Sequence, residues 1–472
     1  MLAAALVLLL VLLALSPAYG YHRDELYFRL LPPAWGYTDQ PPLTPLLVHG
    51  ISSLIDQVWA VRVPAALSAA VSVIVVAAIT AEVGGGREAQ RLAAWGYGLA
   101  NFTLQLGHVM LTASLDLVVW PLVLLCVLRA LVRDRGRWWL LAGLVTGLSL
   151  YNKLLIAVLL IGIVAGVLIA GPRRPRLGAW LLGALAVAVV VGLPNIVYQV
   201  AHGFPQLAMG AALSAHNGWV LRPFVIPFLI ALLGPTLVPV WIAGLVSLAR
   251  RPDWRPIRSL AVVFAVVVVI VTLMGAQFYY NYGVLAAVYA VGCVPAVEWA
   301  ARTGKRRLIT AAVGVNAAIG AVISLPVVPL PLLGRTPIPA IDQTARDQVG
   351  WPSYAKQVDR VVAAHAPGAI VLTTNYGEAG AVARFAPRLA SRVYSGQNEL
   401  AALRPPPAST RTVVTVGWGM EWVDRSFTRC RLAARLDSGV ALRSEEEGAP
   451  VRVCTGRLAP MSVIWAHAAH LG

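Results

Sequence analysis

Two acidic side chains stand side by side at Asp24-Glu25, with Arg23 and Arg29 around them, and a third acid, Asp39, precedes Gln40 and the Pro41-Pro42 pair. Side chains of these types do proton and charge chemistry. A carboxylate accepts a proton from a hydroxyl, and a fixed cation neutralises a departing anion. Two further charges, Asp116 and Lys153, are isolated in apolar runs. An ionisable group there is costly unless it has a partner or a task. Lys153 suits an anionic ligand such as a phosphate, and its plain alternative is a stem that snorkels to the interface. Asp116 suits positioning of an acceptor, holding of a divalent metal, or a structural pair with Lys153. Tyr279 and Tyr280 suit either an interfacial aromatic belt or stacking on a ligand.

These residues need elements to hold them, and the composition says which kind. The chain has 472 residues, 58% of them hydrophobic and 12% charged. A soluble domain carries about a quarter charged residues, so the deficit indicates a polytopic membrane protein. The net charge of +17 does not indicate nucleic-acid binding, because the basic residues form short clusters between apolar runs. A span needs about 20 apolar residues. Eleven candidates are legible: 2–20, 62–82, 92–110, 114–132, 138–152, 154–170, 178–199, 221–248, 260–276, 283–300 and 308–329. The first also has the apolar stretch of a signal peptide, but it lacks a basic start and is read as a retained helix.

Every second loop is basic: Arg87 and Arg91; Arg133, Arg135 and Arg137; Arg173, Arg174 and Arg176; Arg250, Arg251, Arg255 and Arg258; Arg302, Lys305, Arg306 and Arg307. Positive-inside orientation then predicts a cytoplasmic N-terminus and an outer loop at 21–61. Everything after the eleventh span is predicted to lie outside. The predicted location is the cell membrane. Within the outer loop, Leu26, Tyr27, Leu30 and Leu31 make an apolar stripe at helical spacing. Such a helix would lie on the membrane surface and hold Asp24 at the bilayer edge. Pro32-Pro33 turn the chain, and Pro41, Pro42 and Pro45 stiffen its return.

Composition changes near residue 335. Strand-like runs at 369–374, 411–418 and 451–456 alternate with helix-like stretches at 352–365 and 378–386, which predicts a small α/β domain. The expected division is a transmembrane domain at 1–334 and an extracytoplasmic α/β domain at 335–472. Cys430 and Cys454 lie in the latter, where they either form a disulfide or remain two thiols. Cys126 and Cys293 lie in apolar runs and are read as inert.

The order Asp24-Glu25, aromatic residues, then "GYTDQPPL" resembles the first outer loop of the GT-C membrane glycosyltransferases. More narrowly, it is similar to the protein mannosyltransferase-like and aminoarabinose-transferase-like families. The likeness continues in order through "RVPAALSAA" (62–70), "GHVMLTASLDLVVW" (107–120), "GLSLYNKLL" (147–155), "FYYNYG" (278–283), "VGWPSYAKQV" (349–358) and "TTNYGEAGAVARF" (373–385). The resemblance implies a GT-C fold and transfer of a sugar from a polyprenyl-phosphate donor to an acceptor hydroxyl. The acceptor would be a protein, a lipid or a glycan. It also implies that Asp24 is the general base. Donor phosphate would fall to Lys153, with Arg23 and Arg29 as second choices. Glu25, Asp39, Gln40, Asp116, Tyr279 and Tyr280 are the candidate substrate contacts. One departure stands out: aminoarabinose-transferase relatives carry Glu-Lys where this chain has Asp39-Gln40.

Other motifs point away from other chemistry. Gly84-Gly85-Gly86 lacks the Lys-Ser/Thr of a phosphate loop. Gly377 and Gly380 do not complete a dinucleotide fingerprint. No spacing resembles a dedicated metal site, so no essential cofactor is expected, although a divalent metal is compatible with the family. The rival reading is a transporter or lipid-linked-sugar flippase. Transporters place ionisable groups near the bilayer midplane and carry repeated halves, and neither feature is visible here.

Overall fold

The computed structural model describes residues 1–472, and the chain divides into two compact units. The first comprises Met1–Ser16, Gln40–Leu43 and Arg62–Leu325; the second comprises Pro17–Asp39, Thr44–Val61 and Pro326–Gly472. The division therefore does not follow the boundary at 334/335 that composition suggested. Most of the first loop belongs to the second unit together with the C-terminal region.

The first unit is helical. Six helices are long and apolar enough to cross a membrane: Val58–Glu82, Thr112–Arg133, Leu177–Ala201, Pro205–Leu233, Phe278–Thr303 and Arg306–Ser324. Shorter apolar helices include Leu2–Leu15, Ile156–Ala170 and Ser259–Met274. Tyr282–Thr303 is the central element, buried continuously from Tyr282 to Val294. It packs on Val238–Arg250 through small residues. A Cβ added at Gly292 would come within 2.0 Å of the Val240 carbonyl oxygen, so the two backbones touch, as membrane helices do where side chains are absent.

Two of the expected spans differ from the helices observed. The run 221–248 was read as one span, but it consists of two arms, Val225–Leu233 and Val238–Arg250. The break lies at Gly234, whose φ of +105° is followed by Pro235. A left-handed glycine and a residue without an N–H cannot continue a helix. Asn316 repairs the break: its Nδ2 donates to the Leu233 carbonyl at 2.7 Å. The stretch between the expected spans 178–199 and 221–248 is also helical: Pro205–Leu221 runs through a 3-10 turn at Arg222–Phe224 into Val225–Leu233. The run 92–110 is likewise two helices, Arg87–Gly98 and Asn101–His108.

The second unit is built on a five-stranded sheet of order β2-β1-β3-β5-β4. Its strands are β1 (Ile370–Thr373), β2 (Val393–Ser395), β3 (Thr412–Val416), β4 (Phe427–Arg435) and β5 (Pro450–Arg457). β1 pairs in parallel with β2 and β3, while β5 pairs antiparallel with β3 and β4. Helices Trp351–His365 and Tyr376–Phe385 pack together beside it. Cys430 and Cys454 face each other across β4 and β5 and form a disulfide.

Candidate active site

In the second unit, the first-loop helix Arg23–Leu30 begins where its orphan N–H groups find acceptors. The His22 N–H donates to Glu25 Oε2 at 2.8 Å, and the Asp24 N–H donates to His22 Nδ1 at 3.2 Å. This reciprocal cap buries Glu25 completely. Glu25, expected among the substrate contacts, thus serves the helix N-terminus.

The helix lies directly on Tyr376–Phe385. A Cβ at Gly380 would meet Leu26 Cβ at 2.7 Å and the Leu26 carbonyl oxygen at 2.8 Å. Only a residue without a side chain permits that approach. Tyr376–Phe385 has its own cap, in which Asn375 Oδ1 accepts from the Glu378 N–H at 2.9 Å and Glu378 Oε2 accepts from the Thr374 N–H at 2.9 Å. Tyr376 is the first residue of that helix, and its N–H is held by Gln397 Oε1 at 2.9 Å.

These two starts bring Asp24 and Tyr376 together. The Tyr376 hydroxyl donates to Asp24 Oδ1 at 2.8 Å. The Tyr376 ring lies 4.5 Å from that of Tyr27, and the Arg23 guanidinium stands 5.0 Å from the Tyr376 ring centroid. The Tyr27 hydroxyl donates to Asp39 Oδ1 at 3.0 Å, and Asn398 Nδ2 approaches Asp39 Oδ2 at 3.5 Å. Asp24 and Asp39, placed in one site by sequence reading, are each bonded to one tyrosine of a pair whose rings pack at a tilt of 31°.

Arg23 is largely taken up by acids: Glu445 at 2.9 Å and Asp347 at 4.0 Å. Arg29 pairs with Asp56, lies over the Tyr21 ring and donates to its hydroxyl at 3.3 Å. Both second-choice cations are therefore already neutralised within this unit.

Around Arg23 the carboxyl groups are crowded and dry. Burial pushes Asp347 up to about 8, against the nearby Arg23 charge. Burial likewise pushes Glu378 up to about 8, with Glu446 adding repulsion, and raises Glu446 itself. Asp39 rises to about 7 through burial, offset in part by the Tyr27 hydrogen bond. The Tyr376 hydroxyl is pushed well above its ordinary value by burial and by the Asp24 charge, so it stays a donor throughout the physiological range. Asp24 is partly accessible. Oδ1 is engaged by a neutral donor, and the lone pairs of Oδ2 remain for a proton.

The first unit assembles the other candidates. Helix Arg137–Ser149 ends in a tight turn before Ile156–Ala170, and Lys153 sits in that turn. Its ammonium is 4.1 Å from the Tyr280 ring centroid and 5.9 Å from that of Tyr279. Asn152 Nδ2 donates to the Thr112 carbonyl at 2.8 Å and to Asp116 Oδ1 at 3.3 Å. Asp116, Tyr279 and Tyr280 line a narrow cleft walled by Leu106, Trp120 and Leu155. The opposite end of the Asp116 helix is held by Glu82, which pairs with Arg129 and Arg133. Seventeen residues at 1.5 Å put that end about 25 Å away. Gln40 is 8% exposed, and its side-chain nitrogen has no hydrogen-bond partner.

Sequence reasoning did not single out Tyr376, Asp347, Glu378 or Glu446. The Asn-x-x-Glu spacing at 375–378 could have marked a helix start. Nothing local could have paired Tyr376 with a carboxylate 352 residues earlier.

Residues 39–198 match the family described as dolichyl-phosphate-mannose-protein mannosyltransferase. No curated protein matches the chain. Among solved structures, ArnT from Cupriavidus metallidurans bound to undecaprenyl phosphate aligns with a TM-score of 0.65 at 16% identity, over 96% of this chain and 98% of that one. Its apo state gives 0.61 at 16% identity, over 96% of each chain. The arabinofuranosyltransferase AftD from Mycobacteria gives 0.55 at 15% identity, over 97% of this chain but 40% of that one. At these identities the likeness is one of fold, and it is the GT-C fold that the first-loop motifs resemble.

Proposed function

We propose that this chain of GT-C fold, similar over residues 39–198 to the protein mannosyltransferases, is an integral-membrane glycosyltransferase. It transfers a monosaccharide from a polyprenyl-phosphate donor to an acceptor hydroxyl on the extracytoplasmic side. The acceptor class is a protein, lipid or glycan hydroxyl. The donor class is carried over from ArnT, whose structure holds undecaprenyl phosphate.

Asp24 takes the acceptor proton as the acceptor oxygen attacks the anomeric carbon. The bond from that carbon to the phosphate oxygen breaks, and polyprenyl phosphate leaves with the electron pair. A single displacement of this kind inverts the anomeric centre. Phosphate needs no proton to leave, only charge neutralisation, a role that suits Lys153. Asp116, Tyr279 and Tyr280 are the sugar or lipid contacts in the same scheme.

The observation that carries the reading is the environment of Asp24. It is a partly accessible carboxylate, held at one oxygen by a buried neutral hydroxyl, in a chain whose fold is that of membrane glycosyltransferases. The test is transfer from a radiolabelled polyprenyl-phosphate sugar into membranes containing wild type or Asp24→Asn. Loss of a general base lowers turnover about 100- to 10,000-fold. Equal transfer by the two proteins would refute the assignment.

A further inference from the structure

We infer that Tyr376 is a positioning residue for Asp24, so that the C-terminal region helps shape the reaction centre. The inference rests on Asp24 being the base and adds a residue that neither the family match nor the first-loop motif covers. Tyr376 lies outside 39–198, and it reaches Asp24 from 352 positions away.

Five features hold the hydroxyl in place. The Asn375–Glu378 cap starts the helix, and Gln397 fixes the Tyr376 N–H. The Tyr27 ring packs against one side of Tyr376, and Arg23 lies over the ring. Gly380 lets the two helices approach until the 2.8 Å bond forms. A rigid phenol that bonds Oδ1 sets the plane of the carboxylate and directs Oδ2 elsewhere. That preorganisation lowers the cost of reaching productive geometry. The phenol also stabilises the ionised carboxylate that must exist before it can take a proton. The other charges that act with Asp24 are Arg23 on its own helix, Asp39 after that helix, and Asp347 before Trp351–His365.

The experiment compares wild type, Tyr376→Phe and Asp24→Asn for steady-state transfer with varied polyprenyl-phosphate sugar. Phe keeps the ring contact with Tyr27 and removes the donor alone. The expected result is a kcat about 10-fold lower at unchanged donor KM. The acid limb of the kcat profile should move to higher pH, because the ionised form has lost a donor. Installing 3-fluorotyrosine at 376 keeps the packing and strengthens the donor, so the limb should move to lower pH. This second variant keeps the test decisive if the Phe protein does not fold. An unaltered kcat and pH profile in both variants, with Asp24→Asn inactive, would overturn the role of Tyr376 and leave Asp24 as the base. A rise in donor KM with no change in pH profile would also overturn it, in favour of a purely structural tyrosine. Full activity in Asp24→Asn would instead overturn the underlying reading.

Discussion

The Lys153 ammonium stands 4.1 Å from the centroid of the Tyr280 ring. A cation over an aromatic face is held without being neutralised, since the ring offers a quadrupole and not a countercharge. Lys153 also acts electrostatically with Asp116, with no direct ion pair between them, whereas Arg23 and Arg29 are paired directly with carboxylates.

Lys153→Ala should raise the donor KM about 10- to 100-fold, the range of a lost charge-assisted hydrogen bond. Arg302→Ala, in the last turn of Tyr282–Thr303, serves as the comparison and should leave donor KM within about 2-fold. Steady-state kinetics with varied donor decides the matter. Matching values for the two variants would remove Lys153 from the donor site.

The buried acids of the second unit should make the folded protein less stable as pH rises. Asp39, Asp347 and Glu378 sit at about 7, about 8 and about 8, above the ordinary carboxylate value near 4. A raised folded-state value means that the native state keeps the proton while the unfolded chain loses it. Their contribution is full below pH about 4 and declines up to about 8, where it is lost. Asp347→Asn removes one such proton, so the stability slope in that window should flatten by about 1.4 kcal/mol per pH unit. Thermal unfolding in nanodiscs across pH 4–8 measures it, and an unchanged slope contradicts the burial of Asp347.

The disulfide between Cys430 and Cys454 closes 24 residues of chain and ties edge strand β4 to β5. Chain-entropy reasoning puts its stabilisation at about 3 kcal/mol. Cys430→Ser with Cys454→Ser should lower the melting temperature of the purified protein under non-reducing conditions. The buried thiols of Cys126 and Cys293 should react with a maleimide only after unfolding. Labelling of four thiols in the unreduced protein would show that the bridge does not form.

Gly380→Val should separate helix Arg23–Leu30 from Tyr376–Phe385, because Leu26 backbone and side chain occupy the space a Cβ needs. Overpacking of this kind costs about 1–3 kcal/mol. Transfer activity should fall at least about 10-fold as Asp24 loses its place. Gly368→Ala, where nothing lies within 4 Å, controls for the substitution type, although its positive φ carries its own strain. Full activity in Gly380→Val would mean that the helix contact is not needed for the site.

Much of the architecture was legible because its causes are local. Apolar runs and arginine clusters alternate along the chain, and helices occupy nearly all of those runs. The strand-like runs at 369–374, 411–418 and 451–456 became β1, β3 and β5, and the helix-like stretches became Trp351–His365 and Tyr376–Phe385. β4 was missed because its exposed, arginine-bearing face interrupts the apolar alternation, and β2 because three residues carry too little pattern. The break at Gly234 was missed because hydropathy continues across it.

Residue types and spacing alone determined that the chain is a membrane protein with acids in one early loop and a lysine isolated between two apolar helices. Hydropathy and charge act through the nearest few residues, so they can be read in a line. Tertiary structure alone decided which acids remain partly open and which are buried against one another. It also decided that Glu25 caps a helix, that Arg29 binds Asp56, and that Tyr376 holds Asp24. Those outcomes depend on helix approach distances, such as the one Gly380 permits, and on burial, which is a property of the packed chain and not of its order.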